Sequence, residues 1–125
     1  MRIKKVIINN YRQYRDIELE FSPKNENDLF IIIGSNGLGK SNFLNAIIWC
    51  LYEKEKHIDS ESESLPIPNL ISLSNKNIGE KIKVLVEIHI TDNGEDIIFR
   101  RYQNFSKKKN KDKCFKKLSK FRRRI

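Results

Sequence analysis

An α/β domain is what these 125 residues predict, and three observations lead there. Residues 29–33 form a continuous apolar run, the pattern of a central strand covered on both faces. A glycine-rich segment follows at once, and after it Phe43, Leu44, Ile47, Ile48 and Leu51 recur at helical spacing across residues 41–53. Outside this unit, apolar and polar residues alternate with a period of two in several short stretches, as half-buried antiparallel strands require.

Taken in order, residues 2–9 are β-branched and partly alternating, and predict a first strand that Asn9-Asn10 ends. In residues 16–21, Ile17, Leu19 and Phe21 alternate with Asp16, Glu18 and Glu20, which predicts a second strand with one wet face. Residues 22–28 (Ser-Pro-Lys-Asn-Glu-Asn-Asp) are rich in turn formers. The helix at 41–53 adds Ala46 and Trp49 to its apolar positions, so it is predicted to be buried against a sheet. Residues 54–80 are polar, rich in Ser and Asn, and hold Pro66 and Pro68; they read as a long loop with at most short local structure. Ile82, Val84, Val86, Ile88 and Ile90 alternate through residues 81–91, Asp92-Asn93-Gly94 is a hairpin turn, and residues 97–102 return.

Hydrophobic residues make up 38% of the chain and charged ones 33%, which excludes collagen-like, Pro-rich and wholly disordered classes. No apolar run approaches the length of a membrane span, and the first residues lack the apolar stretch of a secretory signal. Together these predict a soluble, cytoplasmic protein without a membrane partner. Cys50 and Cys114 stand far apart, and His57 and His89 are isolated, so they read as reduced thiols and ordinary histidines rather than metal ligands. The net charge of +9 is unevenly placed: residues 106–125 carry eight Lys and three Arg against Asp112 alone. The expected organisation is a globular unit at residues 1–105 and a basic tail at 106–125. Such a tail is either solvated or an electrostatic arm for nucleic acid.

Between the apolar run and the helix stands Gly34-Ser35-Asn36-Gly37-Leu38-Gly39-Lys40-Ser41, which satisfies G-x-x-x-x-G-K-[ST] at every defined position. Glycines at these places let the backbone turn tightly and aim successive N–H groups inward. The helix that follows presents free N–H groups and its positive dipole end to phosphate. Lys40 then supplies a mobile charge for the β- and γ-phosphates, and the Ser41 hydroxyl is a ligand for Mg²⁺. Residues 34–41 therefore predict a site for a nucleoside triphosphate with Mg²⁺, and the resemblance described next implies ATP as that triphosphate.

The segment Asn36-Gly-x-Gly-Lys-Ser-Asn42, preceded by Asn10-Tyr-Arg-Gln-Tyr-Arg-Asp16, resembles the N-terminal lobe of SMC/RecF-type ATPase heads. These are ABC-class ATPases of DNA repair and chromosome organisation. Asn10, Tyr11 and Arg12 match the family's first turn, and residues 34–42 match its phosphate loop. The resemblance implies a P-loop NTPase half-domain with an antiparallel β layer, in which backbone amides of residues 36–40 cradle phosphate. It further implies that Asn42 and Arg12 belong to the nucleotide site, and that the protein acts on DNA in repair, chromosome maintenance or DNA defence.

The same resemblance implies parts that are not found here. No apolar run ends in Asp-Glu, and Leu73-Ser74-Asn75-Lys76 lacks the glycines of the family's signature. Gln103, which follows an alternating run, is a poor substitute for the family's loop Gln. Without a carboxylate pair nothing polarises an attacking water, so no complete catalytic set is expected and the chain alone is expected not to hydrolyse ATP. The missing parts are expected from a C-terminal lobe or second subunit, or to have been lost from a shortened reading frame. Phe115, Leu118, Phe121 and Ile125 recur every three to four residues among cations, the pattern of a basic amphipathic helix or the start of a coiled coil. The alternative function is a non-hydrolysing nucleic-acid-binding module that uses this tail.

Overall fold

The computed structural model describes residues 1–21, 29–35, 39–53 and 67–107, together with the backbone of 119–124. Its frame is set by two tight turns. Asn93 and Gly94 adopt positive φ in succession (50° and 79°), the twist that suits a two-residue hairpin. They join β3 (Lys81–Asp92) to β4 (Glu95–Ser106), which pair without a break from Asp92 opposite Glu95 to Lys81 opposite Ser106. Both strands outrun the alternating stretches that predicted them, because each has a partner along its whole length. At the other end of the chain, Arg12 and Gln13 connect β1 (Arg2–Tyr11) to β2 (Tyr14–Glu20), with Tyr11 opposite Tyr14. A fifth strand, β5 (Ser119–Arg124), pairs with β4, and the antiparallel sheet runs in the order β2-β1-β3-β4-β5.

The period of two sorts this sheet into faces. Val6 and Ile8 on β1, the five alternating aliphatics of β3 from Ile82 to Ile90, and Ile97 and Phe105 on β4 are all buried. Helix α1 (Lys40–Tyr52) covers that face with Phe43, Ala46, Trp49 and Cys50. Trp49 meets the Tyr11 ring at 5.7 Å in a tilted arrangement. Burial of such side chains contributes about 1.5–3 kcal/mol each. The Cys50 thiol donates to the Val86 carbonyl at 3.3 Å, and burial pushes its pKa up to about 12, so it stays a neutral packing group. Beneath the end of the helix lies Arg101, 6% exposed, whose Nε donates to the Cys50 carbonyl at 3.0 Å while Nη1 sits 3.5 Å from Glu53. A cation there meets the negative end of the helix dipole.

Two sequence expectations are corrected. Residues 29–33 are not in a strand and are exposed, from 46% at Ile32 to 89% at Ile33. A fully buried strand needs neighbours in its plane and a layer on each face, and among the described residues the sheet is closed by β2 and β5 without reaching this run. For the same reason α1 is covered on one side only, leaving Leu44 56% and Tyr52 70% exposed. The basic tail is the second correction, because residues 119–124 form a strand where a helical period was expected. Pairing with β4 decides it: Arg101 stands opposite Phe121 and Arg100 opposite Arg122, and β4 offers an edge that no other strand occupies. Residues 108–118 and Ile125, with Cys114, lie outside the described part.

Residues 67–80, expected as loop, hold one short helix, α2 (Leu70–Ser74). The Asn69 side chain caps it by accepting from the Ser72 N–H at 2.9 Å. Lys107 fastens its far end, donating to the carbonyls of Ser74 (3.1 Å) and Lys76 (2.8 Å). Gln103 lies within β4 and is 3% exposed, so it is a strand residue and not a loop one. No described helix is long and apolar enough to cross a membrane.

On the face away from α1, Glu87 is 6% exposed and accepts from Arg100 and, at 2.6 Å, meets His89 Nε2. Burial raises its pKa, but the hydrogen bonds and charges of Arg100 and His89 outweigh burial and hold the carboxyl below its ordinary 4.5. A folded value below the unfolded one stabilises the fold fully above pH 4.5, and the gain is lost as pH falls through the lower folded value. Glu87→Gln should therefore lower stability at pH 7 and flatten the acid limb of stability against pH, measured by urea unfolding from pH 7 to pH 3. An unchanged acid limb would remove Glu87 from this role.

Candidate functional site

The glycine-rich segment meets the rest of the protein at the first turn of α1. Gly39 occupies the position before the helix with φ 100°, a conformation that disfavours any side chain. It is also crowded, since a Cβ built there would lie 1.9 Å from Gln13 Nε2 and 2.8 Å from the Tyr14 hydroxyl. The β1–β2 turn thus packs directly on the exit of the glycine segment. Two hydrogen bonds fix the contact: Tyr14 Oη donates to the Gly39 carbonyl at 2.8 Å, and Asn42 Nδ2 donates to Gln13 Oε1 at 2.7 Å.

Lys40 is the first residue of α1, half-buried, and its ammonium donates to the Gly34 carbonyl, drawing the two ends of the segment together. Ser41 is exposed in the first helical turn beside it. Among the described residues no side-chain cap bonds the N-terminus of α1, and its first turn holds no acidic residue. Within α1 itself its opening N–H groups therefore have no anionic side chain beside them, the condition under which a helix start accepts phosphate. Gly34 is half-buried and Ser35 exposed, while Asn36, Gly37 and Leu38 lie outside the described residues.

Arg12 belongs to the same neighbourhood. It sits in the β1–β2 turn at φ 52° and is 8% exposed. Backbone and side-chain bonds tie the turn to the segment before α2: Arg12 N–H donates to the Ile67 carbonyl at 2.7 Å, and Asn69 Nδ2 donates to the Arg12 carbonyl at 2.8 Å. A shallow cavity of about 360 Å³ opens here, lined by Arg12, Gln13, Asn42, Asn69, Leu70 and Ile71 among others. The structure thus brings Arg12, Gly39, Lys40, Ser41 and Asn42 to one end of α1. Sequence reasoning missed Gln13, Tyr14 and Asn69. The signal available for Asn69 was an Asn before an apolar turn, and for Gln13 and Tyr14 only their place in a tight turn. Among the described residues no cluster of His, Cys, Asp and Glu could hold a metal ion.

The site is thus a glycine-rich segment that leads through Gly39 into a helix starting at Lys40, packed on an antiparallel sheet. The chain belongs to the AAA domain family, which matches residues 5–124. The DNA replication and repair protein RecF of Clostridium acetobutylicum is 29% identical over 91 residues, 69% of this chain and 24% of that protein. RecF of Phocaeicola vulgatus is 39% identical over 64 residues, and RecF of Streptococcus agalactiae serotype Ia is 36% identical over 63; each match covers 50% of this chain and 16% of the relative. The chain thus spans about a quarter or less of these proteins, and its resemblance is to the N-terminal region of SMC/RecF-type P-loop ATPases.

Gly39→Ala should cost about 1–2 kcal/mol through the left-handed backbone alone. It should also displace Gln13 and break the Gln13–Asn42 bond, because the amide end of Gln13 occupies the space of the new methyl group. Chemical denaturation checks the first effect. Wild-type stability in the variant would show that the turn does not press on Gly39 in solution.

Proposed function

We propose that this chain is the ATP-binding N-terminal part of an SMC/RecF-like ATPase that acts in DNA repair, chromosome maintenance or DNA defence. The observation that carries the reading is the start of α1, where Gly39, Lys40 and Ser41 enter a helix with no side-chain cap and no acidic first turn. In this reading phosphate oxygens replace the Gly34 carbonyl as acceptors of the Lys40 ammonium, and amides of residues 36–40 complete the cradle. The donor set also fits Mg²⁺: the exposed Ser41 hydroxyl, next to Lys40, would hold the ion, which would neutralise charge on the β- and γ-phosphates. Arg12 and Asn42 flank the cradle from the turn and the helix.

Family membership and the RecF matches support a role on DNA, and the short span of those matches supports a need for further parts. The exposed apolar residues 29–33, and Leu44 and Tyr52 of α1, are surface that a C-terminal lobe or second subunit would cover. That lobe would supply the carboxylate pair and signature glycines, so the chain alone binds nucleotide and does not turn it over. The cationic segment supports contact with DNA phosphates. Because β5 is part of the sheet and Lys107 holds α2, that contact is best tested by substituting Lys108, Lys109, Lys111 and Lys113 rather than by deleting residues 106–125.

Lys40→Ala should weaken Mg-ATP binding by about 1.5–3 kcal/mol, as expected when a charge-assisted hydrogen bond is removed, in a calorimetric titration. Equal affinities of wild type and variant would sink the nucleotide reading. For the cationic segment, replacing those four lysines by Gln should lower affinity for a DNA duplex. The log–log salt slope should become shallower by about 0.9 for each DNA phosphate that is no longer neutralised. A slope that does not change would place the DNA contact elsewhere.

A further inference from the structure

The β1–β2 turn touches the exit of the glycine-rich segment at three places, and all three involve Gln13 or Tyr14. The Gly39 carbonyl accepts from the Tyr14 hydroxyl at 2.8 Å and from the Phe43 N–H at 2.9 Å, so both its lone pairs are used. Its direction is therefore set by the turn on one side and by the helix on the other. Asn42, in the first turn of α1, is held at 2.7 Å by Gln13. The Gln13 amide also fills the space that a Cβ at Gly39 would need. Burial raises the Tyr14 pKa, which keeps its hydroxyl protonated as a donor at neutral pH.

We infer that Tyr14 and Gln13 are positioning residues for the phosphate cradle, preshaping the peptide between Gly39 and Lys40 before any anion arrives. This rests on the nucleotide reading above and adds residues outside the glycine-rich segment to it. The Gly39–Lys40 peptide carries its carbonyl toward Tyr14 and its N–H in the opposite direction, as a trans peptide must. Clamping the carbonyl therefore fixes where that N–H points, and the Gln13–Asn42 bond fixes the first turn of the helix against the same hairpin. Neither residue contacts the anion. Their effect is on the phosphate part of a ligand, whatever base it carries.

The test uses the full chain with Tyr14→Phe, Gln13→Ala, Lys40→Ala and, as a control far from the loop, Ile90→Val in the core of β3. Each is titrated with Mg-ATP and with Mg-tripolyphosphate at a temperature where circular dichroism shows it folded. Tyr14→Phe should weaken both ligands by the same factor, about fivefold to tenfold for one hydrogen bond removed. Ile90→Val should lower the melting temperature and leave both affinities at wild type, which separates positioning from general stability. Wild-type affinity in Tyr14→Phe beside weakened binding in Lys40→Ala overturns the inference and leaves the nucleotide reading standing. Weaker binding of ATP but not of tripolyphosphate also overturns it, since the turn would then be reading the base. Should Lys40→Ala match wild type, or wild type bind neither ligand, the nucleotide reading fails and this inference falls with it. If Tyr14→Phe does not fold, Gln13→Ala carries the test by the same criterion.

Discussion

Helix α1 is apolar around more of its circumference than one sheet can cover, and the rest of the structure follows from how that is resolved. Its most apolar side, with Phe43, Ala46, Trp49 and Cys50, goes onto β3 and β4. A helix laid on a flat row of aliphatics could slide or rotate, and polar contacts at its two ends prevent that. At the C-terminal end Arg101 rises from the sheet to the Cys50 carbonyl and Glu53. At the N-terminal end Tyr14 and Gln13 hold Gly39 and Asn42. What the sheet leaves bare includes Leu44 and Tyr52, exposed like the apolar run at 29–33.

The antiparallel half of this architecture was readable residue by residue. Alternation at Ile82–Ile90 placed the buried face of β3, and Asn93-Gly94 placed its turn, since both signals are local and both demand one backbone geometry. The error at residues 29–33 has the opposite origin. Five apolar residues in a row state a demand for burial, but the neighbours that satisfy it are contributed from elsewhere, and the demand carries no information on whether they are present. The strand at 119–124 was misread for a related reason, because its spacing of Phe121 and cations suited a helix while the open edge of β4 suited a strand. Long-range pairing overrode the local period.

At the site, the expectation for Gly34 to Ser41 can be read from the sequence because the defined positions of the motif name the residue types that phosphate binding requires. The supporting residues were not legible in the same way. Gln13 and Tyr14 lie some two dozen positions before Gly39, in a turn whose residue types satisfy a hairpin as well as a clamp. Only the fold shows that this turn lands on Gly39, and it does so because Asn69 and Ile67 grip Arg12 from the other side. The hairpin is held in a vice between the segment before α2 and the start of α1.

That vice bears on what the start of α1 can hold. Holding phosphate requires oriented amides and a cation, which the start of α1 and the β1–β2 turn can fix within one antiparallel layer. Moving a water onto phosphate requires further groups that orient the water and hold the metal, and the side chains bonded here to Gly39 and Asn42, Tyr14 and Gln13, are not carboxylates. Leu44 and Tyr52 of α1 and the run at residues 29–33 are the apolar surface that the described sheet does not cover, and they lie on the two segments that flank the glycine-rich stretch in sequence.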